Sequence, residues 1–408
     1  MRRKKVKILF VANNTVGENA FSGGDNIYVS FLKNWSNDIK ITLFGSEEAR
    51  NISKKAGVGG VDYIVVSRKR DVSSPEKFLT VGSLLKNTLI RTIDGVKYVL
   101  KNNKLLRKHN YVYSVSDFYP DLIPALLIKL FNKKIKWVAG YYLIIPPPWD
   151  PETPYKSDRF KGLLYWIMQI PSRFVVKYFA DCVLVTSQPD VSVFVTKKRD
   201  KSKVVVVRGG VDITESEKYL SGKKIIPVFK RKYDACFLGR FHPQKGVLEL
   251  IDIWKLIVER KPTAKLAMIG GGELFSQVQK KIIKLGLKKN IDLLGTLGGE
   301  KKYAVFKNSK LMVHPAIFDS GGMAAAEGMA WELPGVSFDL EALKTYYPKG
   351  MLKVEEGKVR KFAKTVLKLI DEDVLYSKTA KKARELVLEK WVWEKRTDEV
   401  YLKAFGNG

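Results

Sequence analysis

Two cysteines, three histidines and no long apolar run mark what this 408-residue sequence has little of. Cys182 and Cys236 both sit in apolar, strand-like stretches. They read as buried small hydrophobes, which excludes a disulfide framework. His109, His242 and His314 are too scattered for zinc spacing, and His109 reads as a surface residue. A membrane span needs about 18 uninterrupted apolar residues or more. The nearest stretches, Leu122–Phe131 and Leu163–Ile170, are short or broken by charge and proline. The basic N-terminus is followed by an apolar run, Ile8–Ala12, too short for a signal-peptide core. A cytoplasmic protein that touches the inner face of a membrane is the expectation.

Acidic residues are also scarce. Against 42 Asp and Glu stand 73 Lys and Arg, a net charge of +31. That excess calls for an anionic partner: nucleic acid, an acidic membrane surface or a phosphorylated substrate. The segment from Leu122 to Phe179 interleaves Trp137, Tyr141, Trp149, Trp166 and Phe174 with Lys and Arg. It reads either as helix cores with basic solvent faces or as a patch for lipid head groups.

What is present in quantity is alternation. Short β-branched runs, such as Lys5–Asn13, Ile39–Phe44, Tyr111–Ser116 and Cys182–Ser187, are separated by amphipathic stretches such as Leu84–Lys108 and Asp158–Phe179. Continuous apolar strands between helices predict parallel sheets covered on both faces. After a polar connection at Thr214–Lys224 the pattern restarts, with strands at Ala235–Leu238, Lys265–Ile269, Ile291–Leu294, Leu311–His314 and Gly335–Phe338. The fold class is therefore α/β, with two Rossmann-like doubly wound domains facing a cleft and helices at the C-terminus. Residues 1–214 form the first domain and 215–388 the second, and 389–408 return as a helix to the first. Ligands in such sheets sit at the carboxyl ends of strands.

Two strand ends carry the polar chemistry. Gly239-Arg240 follows the first strand of the second half, and Lys245-Gly246 precedes the next helix. Two cations and a helix start converging on one point suit a diphosphate, although an ordinary basic turn is the alternative. His314 ends a later strand, followed by Asp319, the bare amides of Gly321 and Gly322, and a small-residue helix from Met323 that holds Glu327. Carboxylates accept from vicinal hydroxyls. Asp319 as a helix cap and Glu327 as a surface residue form the alternative, but the alanines around Glu327 predict burial. Gly270-Gly271-Gly272 lacks the rest of a dinucleotide fingerprint, and Asp371-Glu372-Asp373 reads as solvated surface.

In their order and spacing these pieces resemble the retaining GT-B glycosyltransferases of family 4. The Gly-Arg…Lys-Gly stretch and two acidic residues separated by seven, here Asp319 and Glu327, carry most of the likeness. Gly210-Val211-Asp212, Gly271 and a Gly23-Gly24 loop add to it. The resemblance implies transfer of a hexose-type sugar from a nucleotide diphosphate donor to a glycan or lipid-linked acceptor. It implies no cofactor and no metal. Arg240 and Lys245 would hold the departing diphosphate, Glu327 the ribose and Asp319 the sugar, beside Gly239, Gly321, Gly322 and the Met323 amide. Gly23 and Gly24 would approach the phosphate or acceptor. This sequence departs from the family in having Asp rather than Glu at 319, and in having Val138-Ala139-Gly140-Tyr141-Tyr142 where relatives place a histidine, which leaves Tyr141 or Asp117 to assist the acceptor. The competing readings are an inactive scaffold of the same fold and a nucleic-acid-binding protein, for which no recognition motif is present.

Overall fold

The computed structural model describes residues 6–15, 23–36, 39–68, 81–150, 153, 159–207, 209–319 and 323–406. The chain divides into two units, Met1–Arg208 with Glu394–Gly408, and Gly209–Trp393.

The first unit is built on seven strands: β1 (Lys7–Ala12), β2 (Lys40–Ser46), β3 (Val61–Ser67), β4 (Tyr111–Ser114), β5 (Lys136–Gly140), β6 (Cys182–Val185) and β7 (Val204–Val206). They lie in the order β3-β2-β1-β4-β5-β6-β7, every pair parallel. Ile8 to Ala12 are fully buried, as a strand covered on both faces requires. The helices are α1 (Gly23–Trp35), α2 (Glu47–Lys55), α3 (Val81–Leu106), α4 (Tyr119–Phe131), α5 (Arg159–Phe179) and α6 (Val191–Phe194). Gly23 and Gly24, expected in a loop, are the first residues of α1. His109 is not a free surface residue. Its ring bonds Leu106 O and Thr42 Oγ1, each at 3.0 Å, and burial lowers its pKa.

Two buried arginines shape this unit. Arg91 pairs with Glu48 at 2.6 Å and donates to the carbonyls of Asn13 and Thr15, fixing the backbone that leaves β1. Arg199 gives all of its donors to carbonyls: Phe194 from α6, and Val176, Lys177 and Ala180 at the end of α5. A cation on the unpaired carbonyls of a helix C-terminus is favoured by the helix dipole.

The second unit holds β8 (Tyr233–Leu238), β9 (Leu266–Ile269), β10 (Ile291–Leu293), β11 (Ser309–His314), β12 (Gly335–Phe338) and β13 (Met351–Val354), in the order β10-β9-β8-β11-β12-β13, again parallel. Strand β13 went unseen in the sequence because it is a four-residue edge strand with Lys353 inside it. The helices are α7 (Thr214–Leu220), α8 (Val247–Arg260), α9 (Phe275–Lys284), α10 (Gly299–Lys307), α11 (Met323–Met329), α12 (Glu341–Tyr346), α13 (Val359–Asp371) and α14 (Asp373–Lys390). Most of the expected polar connection, Thr214–Leu220, is thus helical. It is pinned where Arg384 donates to Ser216 Oγ at 3.1 Å. The last helix, α15 (Trp393–Ala404), starts at the unit boundary. It holds Trp35, whose indole donates to Thr397 O at 3.2 Å and packs on Phe405 just past the helix.

Both sheets reverse direction beside their first strand. In the first unit the chain steps outward from β1 through β2 to β3 and returns to β4 on the other side of β1. In the second it steps from β8 through β9 to β10 and returns to β11. Each reversal leaves a crevice at the carboxyl ends of the two central strands, the usual ligand position in doubly wound sheets.

Candidate functional site

The crevice of the second unit is made by the loops after β8 and β11. Gly239 N donates to Ile269 O at 3.1 Å, the last ladder bond of β8. Arg240 then emerges exposed, its carbonyl accepting from His242 N at 2.9 Å and its guanidinium without a partner among the described residues. Phe241 turns back into the core, its amide bonded to Gly271 O at 2.8 Å and its ring stacked on Phe275. A short turn, Pro243–Lys245, follows, with the His242 ring accepting from Gln244 N.

Glycines set how closely the backbones approach. Gly246 has φ +61°, and a Cβ there would lie 1.9 Å from Pro315 O. Gly270 and Gly272, also at positive φ, leave no room for a Cβ beside Gly239 O and Phe241 O. The glycine run after β9 therefore packs the loop after β8. Gly271 contributes its carbonyl to that packing. The two central loops are also stitched directly, since Gln244 O accepts from Ile317 N at 3.0 Å and from Phe318 N at 3.2 Å.

That stitching brings Lys245 to Asp319. Lys245 Nζ donates to Asp319 Oδ2 at 2.6 Å, and His314 Nε2 donates to the same oxygen at 3.0 Å. Burial works to raise the Asp319 carboxyl, but the Lys245 charge and the His314 bond hold it well below the usual carboxylate range. His314 is 1% exposed, and its Nδ1 has no partner. His314 was visible in the sequence only as the end of a strand. Its role needed the fold of the five residues after it.

Glu327 lies on α11, whose Ala325 and Ala326 are buried. Its carboxylate is half-exposed rather than buried, and it is paired with Lys302 from α10. Lys302 had no local signal. Its reach depends on Tyr303 packing against Trp331, with ring centroids 5.3 Å apart. Ala326 N donates to Tyr347 Oη at 3.1 Å, and Tyr347 stacks on Trp391. The Met323 side chain fills the space where a Cβ at Gly209 would stand. Gly321 and Gly322 lie outside the described residues. Arg240, Lys245, Asp319, Glu327 and Met323 thus all belong to the second unit.

In the first unit, Asp117 accepts from Gln169 Nε2 at 2.9 Å and lines a small pocket of about 20 Å³ with Tyr119, Ile145, Tyr165 and Met168. Burial pushes its carboxyl up to about 6. Tyr141, the other acceptor-side candidate, is 0% exposed and packs on Phe194. Gly23 and Gly24 belong to this unit too, with Asp25 beside them accepting from Thr15 Oγ1 at 3.1 Å.

Residues 222–386 match the family model described as glycosyl transferases group 1. An uncharacterized glycosyltransferase of Methanocaldococcus jannaschii is 27% identical over 65% of this chain and 64% of its own length. The poly(ribitol-phosphate) alpha-N-acetylglucosaminyltransferase of Staphylococcus aureus is 24% identical over 92% of this chain and 69% of its own length. The chain thus spans about two thirds of these relatives. Among solved structures, HepE of Anabaena in complex with UDP and glucose superposes with a TM-score of 0.67 at 14% identity, covering 97% of this chain and 98% of that one.

Proposed function

From a chain with the GT-B glycosyltransferase fold, whose residues 222–386 match the model of glycosyl transferases group 1, we infer a retaining transferase. It moves a hexose-type sugar from a nucleotide diphosphate donor to a glycan or lipid-linked acceptor. One observation carries the reading: the loops after β8 and β11 converge so that exposed Arg240 and the Lys245–Asp319 pair share one crevice.

In this reading Arg240 and Lys245 hold the diphosphate and offset the charge that grows on it as the glycosidic bond breaks. Fixed charge aimed at a departing group supplies a large part of many enzymatic accelerations. The ionised Asp319 accepts from a sugar hydroxyl, and His314 holds it in place. It is one methylene shorter than Glu and pairs with Lys245 at 2.6 Å, which orients it and bridges to the phosphate. Glu327 accepts from the ribose hydroxyls, exchanging part of its bond with Lys302. Gly239, Gly271 and the backbone around Gly321, Gly322 and Met323 line the donor. Gly23 and Gly24 meet the phosphate or acceptor from α1. The reaction uses no cofactor or resident metal, and the protein works at the inner face of a membrane.

The likeness to HepE, solved with UDP and glucose, supports a UDP-sugar donor, and the staphylococcal relative's name supports a polymeric acceptor. A thermal-shift screen against UDP-, GDP- and ADP-sugars, followed by turnover of the stabilising donor, tests the proposal. Arg240→Ala and Glu327→Ala should keep the fold and lose transfer. Full activity in both would sink the site. Binding without hydrolysis or transfer of any donor would leave an inactive scaffold.

A further inference from the structure

Helix α5 buries Val176 in the core but also turns an apolar stripe outward. A surface helix of a water-soluble unit turns its apolar stripe inward. Here the buried positions include Gln169 and Ser172, while Phe160, Ile167, Ile170, Phe174 and Tyr178 face solvent. At about 3.6 residues per turn these five fall within an arc of roughly 100°, so they form one stripe along the helix. Phe160 is 69% exposed and Phe174 59%. Trp149, 66% exposed, packs edge-on against Trp166 of the same helix.

The pattern extends across the helix layer. Helix α3 exposes Leu85, Leu89, Ile93 and Leu100, with Leu89 at 61%. Helix α4 packs between α3 and α5 and exposes Leu130 and Phe131 at its end. Isolated exposed leucines are ordinary. Stripes on adjacent helices are not, and they mark an interaction surface.

Charge identifies what covers it. Lys86, Lys97, Lys101 and Lys104 edge the α3 stripe, all exposed. Arg107 and Lys108 after α3 meet Lys133 and Lys134 after α4, because Asn132 Nδ2 donates to Arg107 O at 3.5 Å. Helix α5 has no acidic residue. The acids of α3 and α4 are engaged at the sheet: Asp94 accepts from Ser67 Oγ, and Asp121 is 0% exposed. A second copy of the chain would oppose one basic rim to another. An acidic bilayer complements both the apolar stripes and their rim.

We propose that the outer face of the α3–α4–α5 layer seats the first unit on an anionic lipid bilayer, with the α5 stripe and Trp149 in the head-group and upper acyl region. The inference deepens the acceptor side of the proposed function, since a lipid-linked acceptor is then met at the membrane plane. It is tested without donor or acceptor, so that either reading can fail alone. The full chain is floated with vesicles of phosphatidylcholine, and of phosphatidylcholine mixed with phosphatidylglycerol. Binding to the mixed vesicles alone, weakened by salt, is expected. Ile167→Glu with Phe174→Glu should reduce it at least tenfold with the thermal midpoint unchanged. Lys97→Glu with Lys101→Glu should reduce it several-fold, and this pair decides the matter if the first does not fold. No binding, equal binding to both vesicle types, or full binding by the variants would overturn the proposal. So would self-association in solution that the α5 substitutions abolish while vesicle binding persists.

Discussion

In the first unit, the backbone leaving β1 donates to a carboxylate of the chain itself, with Asn13 N and Asn14 N reaching Asp121 Oδ1 at 2.6 and 2.8 Å. In the second unit, the equivalent loop after β8 ends in two cations, one exposed and one shared with Asp319. Both lie where the strand order reverses. The first crevice is therefore filled by an internal side chain, and the second has charge to spare for a ligand. The carboxyl groups differ accordingly. Burial pushes Asp121 up to about 7, opposed only in part by the bonds it accepts from Ser116, Asn14 and Asn13. Asp319, equally enclosed, stays well below the usual range because Lys245 is 2.6 Å away. The lesson is that a reversal point offers only geometry, and whether it binds an anion is decided by which charges the two loops contribute.

The sharpest way to break this contrast is to remove a cation from the second crevice. Lys245→Ala should lower turnover by roughly 10²–10³-fold, the usual cost of a lost charge-stabilising donor. It should also cost up to about 3 kcal/mol of stability, because Asp319 is left buried without its cation. Denaturant unfolding and single-turnover kinetics measure the two effects separately. A variant with wild-type turnover would show that the cation there is structural only.

Next in size is the backbone fit. Gly246→Ala forces a side chain into left-handed backbone, about 1–2 kcal/mol, before its clash with Pro315 O is added. Loss of donor binding together with a lowered melting temperature is expected. Unchanged stability would mean that the two loops separate at little cost.

The pH dependence of the two carboxylates should have opposite signs. Asp121 has a raised pKa, so its contribution is fully present below the unfolded value, about 3.9, and is lost as pH rises through about 7. Asp121→Asn does not ionise and should gain on the native chain between pH 5 and pH 8, by roughly 1–3 kcal/mol. Asp319 has a lowered pKa, so its contribution is present above the unfolded value and is lost only as pH falls through the still lower folded value. Asp319→Asn should accordingly show a penalty that is flat over the same range. Parallel pH profiles for the two variants would erase the distinction. The smallest expected effect is that of chelation. Treatment with EDTA should leave transfer unchanged, and its loss, restored by one divalent ion, would add a metal to the donor site.

The alternation of apolar runs and amphipathic stretches was enough to predict two parallel α/β units, because a strand buried on both faces has to be apolar throughout. The carboxyl ends of β8 and β11 were legible for the same reason: Arg240 and Asp319 stand just past apolar runs. Four-residue β13, with Lys353 in it, gave too little pattern to see. Gly23 and Gly24, which read as a loop, proved to open a helix.

Local pattern thus fixed most of the elements and the positions of the cations, since periodicity is a property of neighbouring residues. Pairings across long stretches of chain were left to the tertiary structure. Lys302 reaches Glu327 because two helices meet on one sheet, Lys245 reaches Asp319 across 74 positions, and Arg91 reaches Glu48 across 43. The outward turn of the α5 stripe was decided there as well. An apolar arc reads the same from sequence whichever way it faces, and only the packing of Gln169 and Ser172 beneath it shows that Phe160 and Phe174 meet the solvent.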